Sequence, residues 1–387
     1  EAGRLRVLPE LSPVDSLSNG RAESSSKIVD FSTNDYLGFA ESVRVEKFKN
    51  SCSRFGSASS RLLSGNMQEH EELERELAEF LGFEEALIFG SAYLANVGLL
   101  SALVTRNDIV LSDRNIHASL LDGIQLSRAK HRRFNHNSLE HLSEQLKNIR
   151  KDHGSDTKIL IVTESVFSMT GALAPISEIL ELAESYDAAV VIDEAHSFGV
   201  GGTRGRGYVD DLSNCKSLLA VTISFGKALG CSGGAVLGSS MLKQFLLNEA
   251  RTAIYNTALP PILAAVVLEN LRELQREELF YKVQENSRLL REHLLEIGVQ
   301  CDSSSNIIPV RIGEDFAVTK IAEKLLSRGV KVSAIRTPTV AMGEQCLRFS
   351  VGASHSPEQI KFAVSCLEEE CSEWLSSGKA AIVENGE

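Results

Sequence analysis

The chain has 387 residues, of which 43% are hydrophobic and 24% are charged, a composition typical of a folded globular protein. Its 52 acidic residues outnumber 40 Lys and Arg residues, and the net charge of −12 argues against a nucleic-acid-binding protein, which needs a basic surface. The longest apolar runs have about seven residues, whereas a membrane-spanning helix needs about 20, so we expect no membrane span.

Length and cysteine usage indicate the organisation and the compartment. At about 150 residues per domain, the length predicts two or three domains. We expect an N-terminal arm at 1–27, a large domain at 28–265 and a smaller C-terminal domain at 266–387. The seven cysteines are scattered and form no C-x-x-C pair, which favours reduced thiols and a cytoplasmic location.

The first predicted elements follow the arm. Residues 69–81 repeat apolar side chains at helical spacing and predict an amphipathic helix. A short apolar run at 86–89 predicts a strand, and residues 95–104 predict a helix after the break at Gly90 and Ser91.

The middle of the chain alternates between strands and helices. Unbroken apolar runs at 158–162, 188–192 and 218–223 predict strands, and residues 176–186 predict a helix between the first two. Strands of this kind predict a mostly parallel sheet that helices cover on both faces.

The C-terminal third predicts a smaller α/β domain. A long helical stretch runs from the double proline at 260–261 to about Ile297. Further strands are expected at 307–312, 330–335 and 347–351, with a helix at 317–327.

Polar residues follow three of the predicted central strands. They are Glu164 and Ser165, Asp193 and His196, and Ser224 and Lys227. Because ligands of parallel sheets bind beyond the carboxyl ends of the strands, we expect these side chains to form one site.

Lys227 and Asp193 suggest the chemistry of that site. A lysine amine can form a Schiff base with an aldehyde when it is partly deprotonated. Pyridoxal phosphate is the obvious aldehyde, and it needs a lysine, an acidic partner for its ring nitrogen and phosphate donors. The alternative interpretation is structural: Asp193 caps a helix and Lys227 lies in a surface turn.

Three other features each have a functional and a structural interpretation. The turn at 89–96 precedes a helix whose N-terminus could bind phosphate, or it is an ordinary strand–helix connection. His117 could stack on a pyridine ring, or it could be a hydrogen-bonded structural histidine. Arg348 in a predicted strand could bind a substrate carboxylate, or it could form an internal salt bridge.

A possible serine nucleophile lies at Ser232, because Gly230–Gly234 matches the pattern G-x-S-x-G. That motif must connect a strand to a helix, whereas residues 235–238 predict a strand. The sequence contains no G-x-G-x-x-G, P-loop or H-E-x-x-H motif, and we expect no metal site.

Several motifs, in order along the chain, resemble the α-oxoamine synthases. These fold-type I pyridoxal-phosphate enzymes join an amino acid to an acyl thioester with loss of CO2. The resemblance covers roughly residues 28–370. Its motifs are FSTNDYLG (31–38), SRLLSG (60–65), HASLL (117–121), TESVFSM (163–169), DEAH (193–196), GRG (205–207), SFGK (224–227) and LPP (259–261).

The resemblance implies the α/β fold of the fold-type I transferases, with a large domain around a mostly parallel sheet and a smaller C-terminal α/β domain. It also implies pyridoxal 5′-phosphate as the cofactor and a homodimer with a shared active site. Lys227 would hold the cofactor and later move the α-proton of the substrate. Asp193 would pair with the ring nitrogen, and His117 would stack on the ring.

The resemblance assigns the remaining site residues by position. His196 and Ser168 would approach the phenolic oxygen of the cofactor. Ser224 and the backbone of Ala92 and Tyr93 would bind its phosphate, and Thr257 would reach that phosphate from the partner subunit. The substrate contacts implied by the family are Arg348 for the carboxylate, together with Arg4, Asn34, His117 and Thr339.

Within the family, residues 334–340 and the pair 347–348 are most similar to the members that act in biotin synthesis. This similarity implies condensation of L-alanine with a pimeloyl thioester, carried by coenzyme A or a carrier protein, to give 8-amino-7-oxononanoate. The alternative is another α-oxoamine synthase: 5-aminolevulinate synthase, glycine C-acetyltransferase or serine palmitoyltransferase. A non-catalytic subunit that keeps the fold and a serine hydrolase at Ser232 are the other classes considered.

The chain departs from the family pattern at a few positions. Ala58 and Ser59 replace the usual Gly-Gly, Ala92 stands where glycine is common, and Ile116 stands where a polar residue is usual. Because each added Cβ occupies space, we expect these changes to affect the acyl substrate more than the cofactor.

Overall fold

A computed structural model describes residues 28–40, 54–213, 215–276 and 278–371. Its contacts divide them into a larger unit, residues 54–167 and 173–280, and a smaller unit, residues 28–40, 168–172 and 281–371. The predicted boundary at 265/266 differs, because residues 28–40 group with the smaller unit and 266–280 with the larger one. The predicted arm at 1–27 lies outside the described residues.

The strands and helices are numbered here in chain order. The strands are β1 (Val29–Asp30), β2 (Glu85–Phe89), β3 (Ile109–Asp113), β4 (Lys130–Phe134), β5 (Ile159–Glu164), β6 (Ala189–Asp193), β7 (Leu218–Ser224), β8 (Gly234–Gly238), β9 (Ile307–Arg311), β10 (Val330–Lys331), β11 (Ser333–Ile335) and β12 (Cys346–Ser350). The helices are α1 (Gln68–Leu81), α2 (Ala92–Leu103), α3 (Ala118–Ser127), α4 (Leu139–His153), α5 (Ile176–Ser185), α6 (Ser240–Glu249), α7 (Arg251–Ile254), α8 (Pro261–Leu274), α9 (Glu278–Glu296), α10 (Asp315–Ser327) and α11 (Pro357–Glu370). A π-helical turn spans Arg61–Gly65, and a 3-10 turn spans Asp210–Leu212.

The larger unit is built on a seven-stranded sheet in the order β2-β8-β7-β6-β5-β3-β4. Strands β7, β6, β5, β3 and β4 pair in parallel, and β8 runs antiparallel to both β2 and β7. All residues of β3 and β5 are buried, as expected for strands covered on both faces. The predicted mostly parallel sheet is therefore confirmed.

Local sequence signals set the helix ends of the larger unit. Helix α1 buries Leu73, Leu77 and Leu81 on one face and ends at Gly82, whose φ of 71° favours glycine. Helix α2 begins after Ser91, whose side chain accepts a hydrogen bond from the N–H of Leu94. The predicted helices at 69–81 and 95–104 are confirmed.

The smaller unit contains an antiparallel sheet in the order β11-β12-β9 and a two-stranded parallel pair, β1 with β10. Its core packs residues of α9, α10 and α11 against these strands, with Phe31 and Phe349 fully buried and their rings 5.4 Å apart. The predicted smaller α/β domain is present.

Two local predictions need correction, and one basic strand was not predicted. The long helical stretch after Pro261 is two helices, α8 and α9, because the chain turns after Leu274. The predicted strand at 330–335 is two short strands in different sheets, β10 and β11. Strand β4, with the sequence KHRRF, carried no apolar signal and was not predicted.

Candidate active site

The carboxyl ends of the central parallel strands bring the predicted polar residues together. Glu164, the last residue of β5, is in register with Asp193, the last residue of β6. Asp193 is in turn in register with Thr222 of β7, and that strand ends at Ser224. The three strand ends therefore meet at one edge of the sheet. Of the six predicted side chains, Ser165 alone does not line the cavity at this edge, and its hydroxyl lies 2.6 Å from that of Ser197.

A cavity of about 270 Å³ opens at this edge. Seven of the predicted cofactor residues line it: Ala92, Tyr93, His117, Asp193, His196, Ser224 and Lys227. The other lining residues are Ser91, Asn96, Ser119, Glu164, Ala195, Gly226, Ser232 and Gly233. The cavity belongs to the larger unit alone.

Asp193 is held by one hydrogen bond to each carboxylate oxygen. The N–H of Ala195 donates to Oδ1 at 2.8 Å, and the Asn96 amide donates to Oδ2 at 2.6 Å. The side chain is 4% exposed, and hydrogen bonds to its charged form compensate for the loss of water. Asp193 thus presents a fixed carboxylate to the cavity.

His117 is both a cavity residue and the N-cap of helix α3. Its Nδ1 accepts a hydrogen bond from the N–H of Ser119 at 3.2 Å and lies 2.8 Å from Ser119 Oγ. Its own backbone N–H donates to Glu164 Oε1. Burial lowers the pKa of His117, the charge of Asp193 opposes this shift, and that of Lys227 adds to it. The ring is therefore neutral near pH 7.

Glu164 is a buried carboxyl group that faces another acid. Burial, together with the nearby charge of Asp193, raises the pKa of Glu164 well above its usual range, and Lys227 opposes the shift. Two ionised carboxylates so close would repel each other. Glu164 therefore holds a proton.

Lys227 lies in a compact turn between β7 and β8. The N–H of Gly230 donates to the Lys227 carbonyl at 2.9 Å, and the N–H of Cys231 donates to the Phe225 carbonyl at the same distance. The turn places the Lys227 side chain in the cavity lining, near the end of β7 where the sequence predicted it.

The start of helix α2 forms another wall of the cavity. The first N–H groups of a helix have no partner within the helix, and here they belong to Ala92 and Tyr93. A Cβ at Gly234 of β8 would lie 2.5 Å from the Ala92 nitrogen, so only glycine permits this close approach. Together with the Ser224 hydroxyl, these amides can bind a phosphate.

The other predicted site residues lie outside this cavity. Thr257 lines a separate narrow cleft of the larger unit, together with Arg61 and Asn256. Ser168, Asn34, Thr339 and Arg348 belong to the smaller unit. Arg4 lies outside the described residues.

Arg348 of β12 is buried in the smaller unit, with 5% exposure. Its Nη2 donates to Asn34 Oδ1 at 3.0 Å, and its Nε is buried without a hydrogen-bond partner in the described part of the chain. The Tyr36 hydroxyl also donates to Asn34 Oδ1, at 3.3 Å. Burial raises the pKa of Tyr36 to about 12, with Arg348 opposing, so Tyr36 stays neutral.

Ser232 is not in the setting of a serine nucleophile. It lies in the loop before β8, and its hydroxyl donates to the Gly90 carbonyl at 3.5 Å. The strand predicted after it is confirmed, so the required connection from a strand to a helix is absent here.

The sequence assigned no role to three residues of the cavity: Asn96, Ser119 and Glu164. The sequence indicates Glu164 only as a polar residue at a strand end. Asn96 does carry a signal, because a single amide in the apolar helix AYLANVGLLSAL must find a partner if it is buried. Ser119 gave no such signal.

The cavity fits pyridoxal phosphate by the chemistry of its groups. It combines a lysine amine, an oriented carboxylate, a neutral imidazole and helix amides beside a hydroxyl, which match the aldehyde, ring nitrogen, ring face and phosphate respectively. Within the described ranges, no cluster of three or more His, Cys, Asp or Glu side chains could hold a metal ion.

Comparison with known proteins agrees with this chemistry. Residues 26–367 match the family described as aminotransferase class I and II. An 8-amino-7-oxononanoate synthase from Trichlorobacter lovleyi is 40% identical over 344 residues, which cover 87% of each chain. The chain belongs to the aminotransferase class I and II family, among its α-oxoamine synthases.

Solved structures of this family share the fold. Serine palmitoyltransferase from Sphingomonas wittichii superimposes with a TM-score of 0.84 at 29% identity, covering 90% of this chain and 88% of that one. An 8-amino-7-oxononanoate synthase from Francisella tularensis gives 0.74 at 29% identity, covering 90% and 98%. The predicted fold-type I transferase architecture is therefore confirmed. Within the described residues, no helix has both the length and the hydrophobicity needed to cross a bilayer.

Proposed function

We propose that this protein is a pyridoxal-phosphate-dependent acyltransferase that condenses L-alanine with a pimeloyl thioester to give 8-amino-7-oxononanoate in biotin synthesis. The observation that carries this proposal is the convergence of Lys227, Asp193 and His117 on one cavity. Similarity to enzymes named 8-amino-7-oxononanoate synthase supports the choice of substrates.

The cofactor is pyridoxal 5′-phosphate, and a solved serine palmitoyltransferase at 29% identity is described with it. When bound, it supplies an aldehyde that captures amines and a ring that accepts electrons from the substrate α-carbon. Lys227 would carry it through its amine. Asp193 would accept a hydrogen bond from its ring nitrogen, and His117 would cover one face of the ring.

The remaining contacts are proposed from the family resemblance. His196 and Ser168 would hydrogen-bond the phenolic oxygen. Ala92, Tyr93 and Ser224 would bind the phosphate. Thr257 of a second copy would complete that phosphate site.

The proposed reaction needs one group that moves protons. Freed from the cofactor when the amino acid binds, the Lys227 amine would remove the α-proton of alanine. The α-carbon then forms a bond to the thioester carbonyl, the thiol leaves, and the carboxylate is lost as CO2. Lys227 would then return a proton to the α-carbon and would hold the cofactor again once the product leaves. This residue therefore acts as nucleophile, base and acid in turn.

Arg348 is proposed to bind the amino-acid carboxylate. It is a buried cation whose partner here is the neutral Asn34, and a carboxylate is the ligand that a guanidinium binds in bidentate geometry. Asn34, Thr339 and Arg4 are proposed as further substrate contacts on the family pattern.

The first experiment is an absorption spectrum of the protein with pyridoxal phosphate, comparing the wild type with Lys227→Ala. We expect a visible band that borohydride fixes to the wild-type protein and not to the variant. A spectral change with L-alanine, but not with glycine or serine, supports the proposed substrate. The absence of any Lys227-dependent band would refute the mechanism.

A second candidate is another α-oxoamine synthase, because serine palmitoyltransferase structures are so similar. Turnover assays with each amino acid and with pimeloyl, succinyl, acetyl and palmitoyl thioesters separate the candidates. Activity with serine and a long-chain thioester, in the absence of activity with alanine, would favour the second.

We also propose a homodimer with shared sites. Three large apolar or aromatic side chains lie in the Thr257 cleft or next to its lining residues, and a second copy would cover them. They are Leu62, Leu63 and Tyr255, which are 52%, 81% and 71% exposed. Mixing Lys227→Ala with Thr257→Ala subunits tests this. If the site is shared, each mixed dimer regains one of its two sites. Because half of the dimers in an equimolar mixture are mixed, the mixture regains about a quarter of wild-type activity, whereas unshared sites give no gain.

A cytoplasmic location is the last part of the proposal. Six cysteines of the described residues, from Cys215 to Cys371, are free thiols, as expected in a reducing compartment. Cell fractionation with a tagged chain tests it, and recovery in an oxidising compartment would contradict it.

A further inference from the structure

We infer that Asn96 and Ser119 are positioning residues: together they orient the Asp193 carboxylate and determine which nitrogen of His117 carries the proton. The inference rests on the proposed function, because it concerns how the same cavity prepares its groups for the cofactor. Its structural part, the state of His117, can be tested without the cofactor.

The first contact joins Asn96 to Asp193 across 97 residues of sequence. Asn96 lies in helix α2 with 1% exposure, and its Nδ2 is 2.6 Å from Asp193 Oδ2. The reverse orientation of the amide would place Oδ1 against a carboxylate oxygen at that distance, and two acceptors repel. The amide therefore donates to Asp193, and this bond and the Ala195 N–H fix both carboxylate oxygens.

The second contact extends the network to Ser119. The same Asn96 nitrogen lies 3.0 Å from Ser119 Oγ. Because an amide nitrogen has only hydrogens to offer, Ser119 Oγ is the acceptor here. Its own hydrogen is then free to donate elsewhere.

The third contact joins Ser119 to His117. Ser119 Oγ lies 2.8 Å from His117 Nδ1, and the Ser119 N–H also donates to Nδ1, at 3.2 Å. With two donors directed at it, Nδ1 bears no proton. The neutral ring therefore carries its proton on Nε2. The burial that lowers the pKa of His117 favours the same neutral form.

The unused end of the Asn96 amide distinguishes this network from an ordinary structural contact. Asn96 Oδ1 is buried and has no hydrogen-bond partner in the described part of the chain. An unsatisfied buried acceptor is unfavourable, and an apolar side chain would avoid it in this otherwise apolar helix. What the amide provides is its donor end, which is directed at Asp193 and at the serine that orients His117.

The network matters for the chemistry of the ring. An ionised, fixed carboxylate keeps the cofactor nitrogen protonated, and a neutral imidazole adds no second positive charge beside it. Loss of Asn96 would free the Asp193 carboxylate to rotate away from the position that faces the cofactor nitrogen. Loss of the Ser119 hydroxyl would let the other His117 tautomer form.

The test compares Asn96→Leu and Ser119→Ala with a matched control, Asn286→Leu. Asn286 is also a buried amide, 3% exposed, and it donates to the carbonyls of Gly352 and His355 in the smaller unit. Ser119→Thr, which keeps a hydroxyl, is the conservative rescue. Melting temperatures measure the structural cost of each change.

The first readout uses the protein without cofactor. In protein labelled with 15N-histidine, the His117 signals are assigned by their loss in His117→Gln. We expect an unprotonated Nδ1 and a protonated Nε2 in the wild type and Ser119→Thr, and shifts that move towards each other in Ser119→Ala. A wild type with a protonated Nδ1, or unchanged shifts in Ser119→Ala, would overturn the inference.

The second readout uses the holoenzyme. We expect Asn96→Leu to weaken pyridoxal phosphate binding by about tenfold or more, since a hydrogen bond to a charged group is lost, and to shift the pH midpoint of the visible band. Asn286→Leu should lower the melting temperature and leave both values unchanged. If Asn96→Leu behaves like Asn286→Leu, Asn96 is only structural. If the wild type itself lacks the Lys227-dependent band, the proposed function fails instead.

Discussion

Glu74 in the larger unit and Arg348 in the smaller unit are both charged side chains with 5% exposure or less, and their surroundings differ. Glu74 forms ion pairs with Arg61 and Lys243, and it accepts a hydrogen bond from the Ile88 N–H at 2.8 Å. Arg348 forms no ion pair with any described residue, and its Nη2 donates to the neutral Asn34 amide. A buried charge with complete partners belongs to the scaffold, whereas one with a neutral partner is available to a charged ligand.

The largest expected effect comes from removing Glu74, the buried charge that has ion-pair partners. Glu74→Leu removes the buried carboxylate that Arg61 and Lys243 share, and these cations keep only the more exposed Glu71 and Glu85. It also leaves the Ile88 N–H without its acceptor, so we expect the free energy of unfolding to fall by about 3 kcal/mol. Urea denaturation measures this. Glu79→Leu on the same helix, whose side chain is 78% exposed, should change the stability by no more than about 0.5 kcal/mol. A loss of similar size in both variants would contradict the distinction.

Removal of Arg348, the buried charge without an ion pair, should lower activity rather than stability. Arg348→Leu removes a buried cation without a carboxylate partner, so we expect little or no loss of unfolding free energy. We expect kcat/KM for alanine to fall by about 100-fold, corresponding to about 3 kcal/mol for a lost charge-assisted contact. Steady-state kinetics across alanine concentrations provide the measurement. Arg311→Leu on the adjacent strand β9, which is exposed, should leave the kinetics unchanged.

A third prediction extends the comparison to Glu194, a buried acid whose hydrogen-bond donors are all neutral. Glu194 accepts hydrogen bonds from the Ser197 hydroxyl and the Tyr208 N–H, and burial raises its pKa from 4.5 to about 7. Its protonated form stabilises the folded state at low pH, and that contribution is lost as the pH rises through about 7. We expect a decrease of up to about 3 kcal/mol between pH 4.5 and 7.

The measurement is urea denaturation over this pH range for the wild type and Glu194→Gln. The variant cannot ionise at this position, so its stability should decline less with rising pH. Parallel pH profiles for the two proteins would show that the titration of Glu194 does not influence folding.

The smallest effect concerns the backbone. Within the described residues, every non-glycine residue with φ in the left-handed region belongs to the larger unit. One of them is Ala58, with φ of 56°, which stands where the family usually has glycine. Ala58→Gly should raise the unfolding free energy by up to about 1 kcal/mol, because glycine adopts this conformation without strain. The control, Ala102→Gly in helix α2, should lower stability by about 0.5–1 kcal/mol. Thermal denaturation distinguishes the expected increase in stability from the expected decrease.

The sequence predicted those parts of the fold that depend on apolar patterns. Strands β5, β6 and β7 were predicted because each is a continuous apolar run, and Lys227 and Asp193 were found because they follow such runs. Strand β4 was missed because its residues are mostly basic, and the boundary between α8 and α9 was missed because no glycine or proline marks it.

The sequence could not predict the network within the site. Asn96 and Asp193 are 97 residues apart, and only the packing of helix α2 against the strand ends brings them into contact. The proton on Glu164 has the same origin, because it depends on burial beside Asp193 rather than on any motif. Motifs identify reactive groups, whereas the partners that set their charge emerge only from the folded chain.

The two edges of the seven-stranded sheet have a consequence for aggregation. An exposed edge strand can pair with a strand of another molecule, and charged side chains oppose this. Strand β4 has Lys130, Arg132 and Arg133 at one edge, and at the other edge the Ile88 N–H of β2 is bound by the Glu74 carboxylate. The basic sequence that concealed β4 from prediction therefore also protects the sheet from edge-to-edge association.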